Sequence, residues 1–273
     1  MSKNLLLLFC LLACGIGLYV GCTKLNEYLD EEERWGAYCD LFPGKKGKPH
    51  SPNPERDSIY GYGIDLSHHN AEPEWGKLNV DFVILKATEG TDWIDPEYAI
   101  RLVKCKENYI PVGAYHFFIG KKDPRKEFEN YQRIAGPFID IIPIVDAERR
   151  PRGVSKKDYQ NNLWSFMEHV HDAYGVYPII YTGEDFYYST IKEMLDKRYS
   201  HYAGIDIPEG GKNYPEYIWF GDVGKKYSKY SICPVIHQAS IKQVPGTKSK
   251  VDFNELHIPL DKIKWKQKPE NTL

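Results

Sequence analysis

From residue 60 onward the chain alternates short apolar runs with stretches of helical periodicity, and few folds accommodate that alternation. Strands are expected over residues 62–66, 82–88, 112–118, 141–148 and 178–182, with helices over 96–108, 124–135 and 156–174 between them. The inward faces are expected to carry Ala99, Leu102 and Val103 on the first of these helices and Leu163, Phe166, Met167 and Val170 on the third. Repeated strand–helix units imply a parallel sheet. Beyond residue 182 the helical signal becomes irregular, and strand candidates at 217–221, 235–239 and 250–253 follow one another without long helices. Eight strand candidates, several ending in acids, suggest an α/β barrel whose second half is poor in helix.

The run Ile142-Pro-Ile-Val-Asp-Ala-Glu148 carries the most chemistry. Its apolar part suits a buried strand, and Asp146 and Glu148 follow at its C-terminal end. Two positions apart on an extended backbone, their side chains share one face, with Cα atoms about 6.6 Å apart. Two carboxylates so close repel when both are ionised, so one pKa should rise, which is what a general acid needs. The plainer alternative is a strand leaving the core, with the acids as its polar exit and Arg149 and Arg150 as their partners. Gly63-Ile-Asp-Leu-Ser67 puts Asp65 near the end of the first strand, and Val251-Asp-Phe-Asn254 puts Asp252 at the end of the last. In a closed barrel those two strands are neighbours, so Asp65 and Asp252 should meet across the seam and face the pocket of Asp146 and Glu148.

The two ends read differently from the patterned part. Lys3 precedes an uncharged apolar run from Leu5 to Val20, so residues 1–22 read as an export leader. Leu11-Leu-Ala-Cys14 is similar to a bacterial lipoprotein box, and Val20-Gly-Cys22 is a second candidate; a plain signal peptide or a single uncleaved anchor are the alternatives. Residues 23–59, rich in charge and then in Pro, Gly and Lys, read as a tether, which leaves residues 60–268 for the barrel. Cys10, Cys14 and Cys22 fall in the leader; Cys39, Cys105 and Cys233 are widely separated and lack metal-ligand spacing, so no metal and at most one disulfide are expected. A formal net charge of −2 gives no long-range field for nucleic acid. With 21 Tyr and 6 Trp, the chain can offer flat platforms to sugar rings, although many of those rings will be core.

Read in order, Gly63-Ile-Asp-Leu-Ser-His-His69, Asp81-Phe-Val-Ile-Leu-Lys-Ala-Thr-Glu-Gly90, Asp95-Pro96, Val112-Gly-Ala-Tyr-His-Phe117, Val145-Asp-Ala-Glu148, Ile179-Ile-Tyr-Thr182, His237-Gln238, Val244-Pro-Gly246 and Val251-Asp-Phe-Asn254 resemble glycoside hydrolase family 25 over about residues 60–260. Those enzymes are lysozymes that cut the β-1,4 bond between N-acetylmuramic acid and N-acetylglucosamine in peptidoglycan. The resemblance implies a TIM-like (β/α)5(β)3 barrel, Glu148 as proton donor, and Asp65, Asp146 and Asp252 as its acidic companions. No cofactor is expected, the partners expected are peptidoglycan glycan strands, and a monomer is expected with membrane contact only through the N-terminal leader or a lipid anchor.

Glycoside cleavage needs one protonated carboxyl to release the leaving oxygen and one ionised carboxyl to stabilise positive charge at the sugar, and four acids can supply both. Tyr115, Tyr181 and Trp93 are candidates for stacking or hydrogen bonding to sugar, and His116 and Gln238 for polar contacts. Each has an alternative as a packed, internally bonded side chain. Lys86 and Glu89 are expected to pair beneath the site. The sequence departs from the family at Ile218-Trp-Phe-Gly-Asp222 and Ile236-His-Gln-Ala239, where members carry Trp-x-Ala-x-Tyr and Trp-Gln-Tyr, so the aromatic wall is thinner there. Two further readings remain: a non-catalytic glycan-binding surface protein on the same barrel, or a hydrolase of another N-acetylated glycan such as chitin.

Overall fold

A computed structural model describes residues 59–198, 217–225 and 234–265. The leader, nearly all of the tether, Cys39 and Cys233 lie outside the described residues, and Cys105 is free and buried. Among the described residues no helix is long and apolar enough to cross a membrane.

The strands are β1 (Gly61–Leu66), β2 (Phe82–Glu89), β3 (Trp93–Ile94), β4 (Val112–Phe117), β5 (Ile144–Asp146), β6 (Ile179–Thr182), β7 (Ile218–Phe220), β8 (Ile236–Lys242) and β9 (Val251–Leu256). The longer α-helices among the described residues are α1 (Tyr98–Glu107), α2 (Pro124–Ala135), α3 (Lys156–Tyr174) and α4 (Lys192–Arg198), the last led in by a helical turn at Glu184–Phe186 and a π-helical turn at Tyr187–Ile191. Eight strands close in the order β1-β2-β4-β5-β6-β7-β8-β9, with β9 returning to β1 and β3 folded back on β2 as a short antiparallel extension. Pairing is parallel from β1 through β8 and antiparallel for β8–β9 and β9–β1. The result is the expected barrel of five strand-led units followed by three strands. In the first unit the only helical turn between β1 and β2 is the 3-10 turn Trp75–Lys77.

Period-two alternation builds two apolar layers. Phe82, Ile84, Ile144, Ile179, Trp219, Ile236 and Leu256 fill the barrel, while their strand neighbours Val83, Leu85, Val145, Ile180 and Phe220 pack outward with the helices. Each fully buried aliphatic or aromatic side chain contributes about 1.5–3 kcal/mol. The barrel closes tightly at Gly63, where an added Cβ would sit 2.2 Å from the ring of Phe82, itself fully buried. Gly63→Ala should therefore destabilise the fold by about 1–3 kcal/mol of overpacking. Urea unfolding checks this, and a loss under about 0.5 kcal/mol, the range of an ordinary surface substitution, would contradict it.

Local signals explain the helices. Asp123 caps α2 by accepting from the Arg125 amide at 3.0 Å, with Pro124 at the first helical position. Ser155 caps α3 by accepting from Asp158 N at 3.0 Å, and Gly175 ends it in the left-handed region with φ 72°. Leu163, Phe166, Met167 and Val170 of α3 are buried as expected.

Three expectations need correction. Helix α1 buries Tyr98, Arg101 and Cys105, while Ala99 is exposed and Leu102 and Val103 are only half-buried. The reason is Arg101, whose guanidinium donates to Ser67 O at 2.6 Å and Asn70 O at 2.7 Å and pairs with Glu72 at 3.1 Å, so a charged residue turns inward. Strand β5 has three residues rather than the eight of 141–148, because Pro143 has no amide to donate and Ile141 instead bridges to Lys264. Asp252 lies at the start of β9, not at its end. The strand runs antiparallel to β1, so its beginning reaches the mouth where β1 ends.

Candidate active site

Four acids gather at the C-terminal mouth of the barrel. Asp146 closes β5, level with Phe117 of β4 and Tyr181 of β6. Ile144 belongs to the barrel interior and Val145 and Ala147 to the outer layer, so alternation turns Asp146 inward. Glu148 follows two residues on and is exposed, whereas Asp146 is 7% exposed. Asp65 and Asp252 are direct partners across the β1–β9 seam. Asn254 Nδ2 donates to Asp65 Oδ2 at 2.8 Å, and Asn254 Oδ1 accepts from Trp219 Nε1 at 3.0 Å. Tyr181 Oη donates to Gln238 Oε1 at 2.8 Å, and Gln238 hydrogen-bonds to Asp252.

Burial pushes all four carboxyls up, and a neighbouring acid adds to it at Asp146 and Asp65. Burial raises Asp146 well above the usual carboxylate range, the Glu148 charge adds to that, and Lys86 opposes it. Burial also raises Asp65 strongly, Asp252 across the seam adds, and the Asn254 hydrogen bond opposes. Glu148 is raised more gently, by partial shielding at the mouth, against the pull of Arg149 and Lys86. Burial raises Asp252, with Gln238 opposing. Lys86, which acts on these acids together with Arg149, has its Nζ 2.7 Å from Glu89 Oε2 and 4.8 Å from the Trp93 ring centroid. Asp146 Oδ1 is buried with no hydrogen-bond partner among the described residues.

Other expected contacts divide. Tyr115 and Tyr181 face the acids, since Asp65 and Asp146 both act on each phenol, and burial raises both phenol pKa values. Trp93 stands half-buried beside Lys86 and 5.1 Å from the His68 ring. Gln238 is brought in through Tyr181 and Asp252. His116 is not, which corrects that expectation. It follows Tyr115 on β4 and so turns outward, fully buried between Thr88 (2.8 Å) and Glu127 (3.2 Å) and stacked 5.0 Å from Phe166 of α3. Burial lowers its pKa against the opposing pull of Glu127, and its contacts are those of a packed, internally bonded side chain.

The mouth also recruits residues that had not been singled out as contacts. Asn254 shares the inner face of β9 with Asp252, two positions away, and the alternation could have flagged it. Asp95, 2% exposed, accepts from the amide and the ring Nδ1 of His68, each at 2.9 Å, and so ties the β1 loop to β3. Phe117 lies between Lys86 and Arg149, whose charged groups sit 4.9 and 4.8 Å from its ring centroid. Carboxyls raised to different degrees and set side by side, next to Tyr115 and Tyr181, are the arrangement that can deliver a proton and stabilise a cation together.

The comparisons with known proteins bear on the same span. The model of the family described as Glycosyl hydrolases family 25 matches residues 64–202, just over half of the chain. Protein YegX of Escherichia coli (strain K12) is 26% identical over 139 residues, covering 48% of this chain and 51% of YegX. The autolytic lysozyme of Clostridium acetobutylicum is 26% identical over 140 residues, covering 48% of this chain and 42% of that protein. The chain thus spans about half the length of the curated relatives it matches. In fold it is similar to a lysozyme from Streptomyces coelicolor, with a TM-score of 0.60 at 19% identity over 74% of this chain and 94% of the other. Because the family match takes in Asp65, Asp146 and Glu148 together with every parallel strand from β2 to β6, the chain belongs to family 25 of the glycosyl hydrolases.

Proposed function

We propose that the chain is an exported muramidase, hydrolysing the β-1,4 bond between N-acetylmuramic acid and N-acetylglucosamine in peptidoglycan. The observation that carries this reading is Asp146 Oδ1, a buried carboxyl oxygen with no partner among the described residues, two positions from the solvent-exposed Glu148. A buried acceptor left open is costly unless a ligand completes it. The N–H of a substrate 2-acetamido group is the donor that fits. Family membership and the lysozymes among the relatives and solved neighbours support the same reaction class.

In this mechanism Glu148 gives its proton to the glycosidic oxygen as the C1–O bond breaks and its electron pair leaves with that oxygen. Asp146 holds the acetamido group so that its carbonyl oxygen attacks C1 from the opposite face, forming an oxazolinium ring. Asp65 and Asp252 stabilise the positive charge, and the ring's own charge is what allows a carboxyl raised by burial to ionise beside it. Water then opens the ring while the Glu148 carboxylate takes its proton, so the β-configuration is retained. Tyr115, Tyr181, Trp93 and Gln238 line the sugar path. The protein acts as a monomer without cofactor, either held at the membrane through a lipidated Cys14 or Cys22 or secreted after cleavage of the leader.

Digestion of purified peptidoglycan tests this, with new reducing ends as the readout and proton NMR of the fresh digest for stereochemistry. The β-anomer should appear first; an initial α-anomer overturns the substrate-assisted route. Binding to peptidoglycan without new reducing ends identifies a glycan-binding protein instead, and faster cleavage of chitin oligomers reassigns the substrate.

A further inference from the structure

A second cluster lies on the opposite side of the strands that complete the mouth. His237 of β8 and Glu255 of β9 are directly paired across the ribbon, and His257 follows Glu255 by two positions. Period-two alternation puts all three on the outer face. Their chain neighbours Ile236, Gln238, Asn254 and Leu256 point the other way, into the barrel and the mouth.

We propose that His237, Glu255 and His257 form a divalent transition-metal site of the zinc class that cross-braces β8 and β9. One ligand atom from each of the three lies within 4.8 Å of the other two. Glu255 Oε2 is 3.5 Å from His237 Nδ1 and 3.7 Å from His257 Nε2. Both distances exceed the usual 2.7–3.2 Å range of an N–H···O bond. They are close instead to the edge of a ligand tetrahedron, about 3.3 Å when bonds to the metal are roughly 2.0–2.1 Å. Two imidazoles and one carboxylate are a set that zinc accepts, with water in the fourth position.

Burial favours a built site over a chance meeting of surface groups. The residues His237 and His257 are 2% and 9% exposed, while the Glu255 side chain keeps 23% of its surface. The imidazoles are thus fixed by packing, and the carboxylate edge leaves a path for the ion. Strand register already holds two of the three ligands opposite one another, so little ordering remains to be done on binding. The brace would sit beside the register shift of β8 between Gln238 and Ser240, where the ladder is locally broken. It would fix the ribbon that presents Gln238, Asp252 and Asn254 to the mouth, from the face away from substrate. Its role is structural and does not depend on the proposed reaction.

The test uses the full chain without a polyhistidine tag, stripped with chelator and titrated with zinc ions alone against a chromophoric competitor. One equivalent should bind at micromolar or tighter affinity and raise the melting temperature through linkage. Cobalt in place of zinc should give the visible spectrum of a four-coordinate nitrogen and oxygen site. His257→Ala and the nearly isosteric Glu255→Gln should each weaken zinc by at least about 100-fold, more than loss of an outer-shell partner costs. Melting each variant in chelator shows that it folds. Glu148→Gln should bind zinc as the parent does, which separates this site from the acids of the mouth. Parent protein that takes up no zinc at micromolar concentrations, or folded variants that bind it equally well, would overturn the proposal.

Discussion

Replacing Glu148 by glutamine is expected to cut the rate of peptidoglycan cleavage by about two to four orders of magnitude, the usual share of general acid catalysis. Glutamine keeps the size and hydrogen-bonding reach of the side chain but has no proton to give to the glycosidic oxygen. Because Glu148 is exposed at the mouth, the fold should barely notice the change. A second readout belongs to the geometry alone. The Glu148 charge helps to hold the Asp146 carboxyl up, so removing it should let the Asp146 pKa fall, seen in its carboxyl carbon chemical shift across a pH titration. In the parent enzyme, activity should fall as pH rises through the raised Glu148 pKa and the acid loses its proton. A Glu148→Gln enzyme keeping more than about a tenth of parental activity would remove Glu148 from the proton-donor role, since even the weakest such role is worth about 10²-fold.

Alternation in Ile144, Val145, Asp146 and Ala147 was enough to aim Asp146 inward, and closure of a barrel was enough to bring Asp65 against Asp252. Both are consequences of strand period and topology, which short patterns record well. The same rule, applied strictly, would have turned His116 away from the mouth once Tyr115 was aimed into it, and would have added Asn254 beside Asp252. The direction of β9 was also written in the chain. Only residues 243–250 separate it from β8, too few for a parallel crossover, which needs a dozen or more. The inward turn of Arg101 was not readable, because it depends on the carbonyls of Ser67 and Asn70 in a loop over 30 residues away. The grouping of His237, Glu255 and His257 was likewise hidden, since it needs the β8–β9 register and not merely the two strands.

Asp65→Asn should make the protein more stable at neutral pH and much less active. Burial and the Asp252 charge raise the Asp65 pKa in the folded state, while the unfolded chain titrates near the ordinary value of about 3.9. A carboxyl raised in this way contributes stability that is full below its unfolded pKa and is lost as pH rises through its folded one. The parent therefore gives up stability across that window and the asparagine variant does not. The advantage of Asp65→Asn should be near zero below about pH 4, grow as pH rises, and level off above the folded pKa at about 1–2 kcal/mol, the scale of a relieved functional-site conflict. The contacts are kept: the new amide oxygen can still accept from Asn254 Nδ2, and the new amide nitrogen can donate toward Asp252. Activity should move the other way, falling by on the order of 10² as one of the charges facing the developing cation is lost. Urea melts at pH 4 and pH 7, set beside peptidoglycan turnover, measure both. A variant no more stable than the parent at pH 7, or one with an advantage that is the same at both pH values, would mean that Asp65 is not held under electrostatic strain. The carboxyls at the seam would then have to be read as ordinary hydrogen-bonding groups.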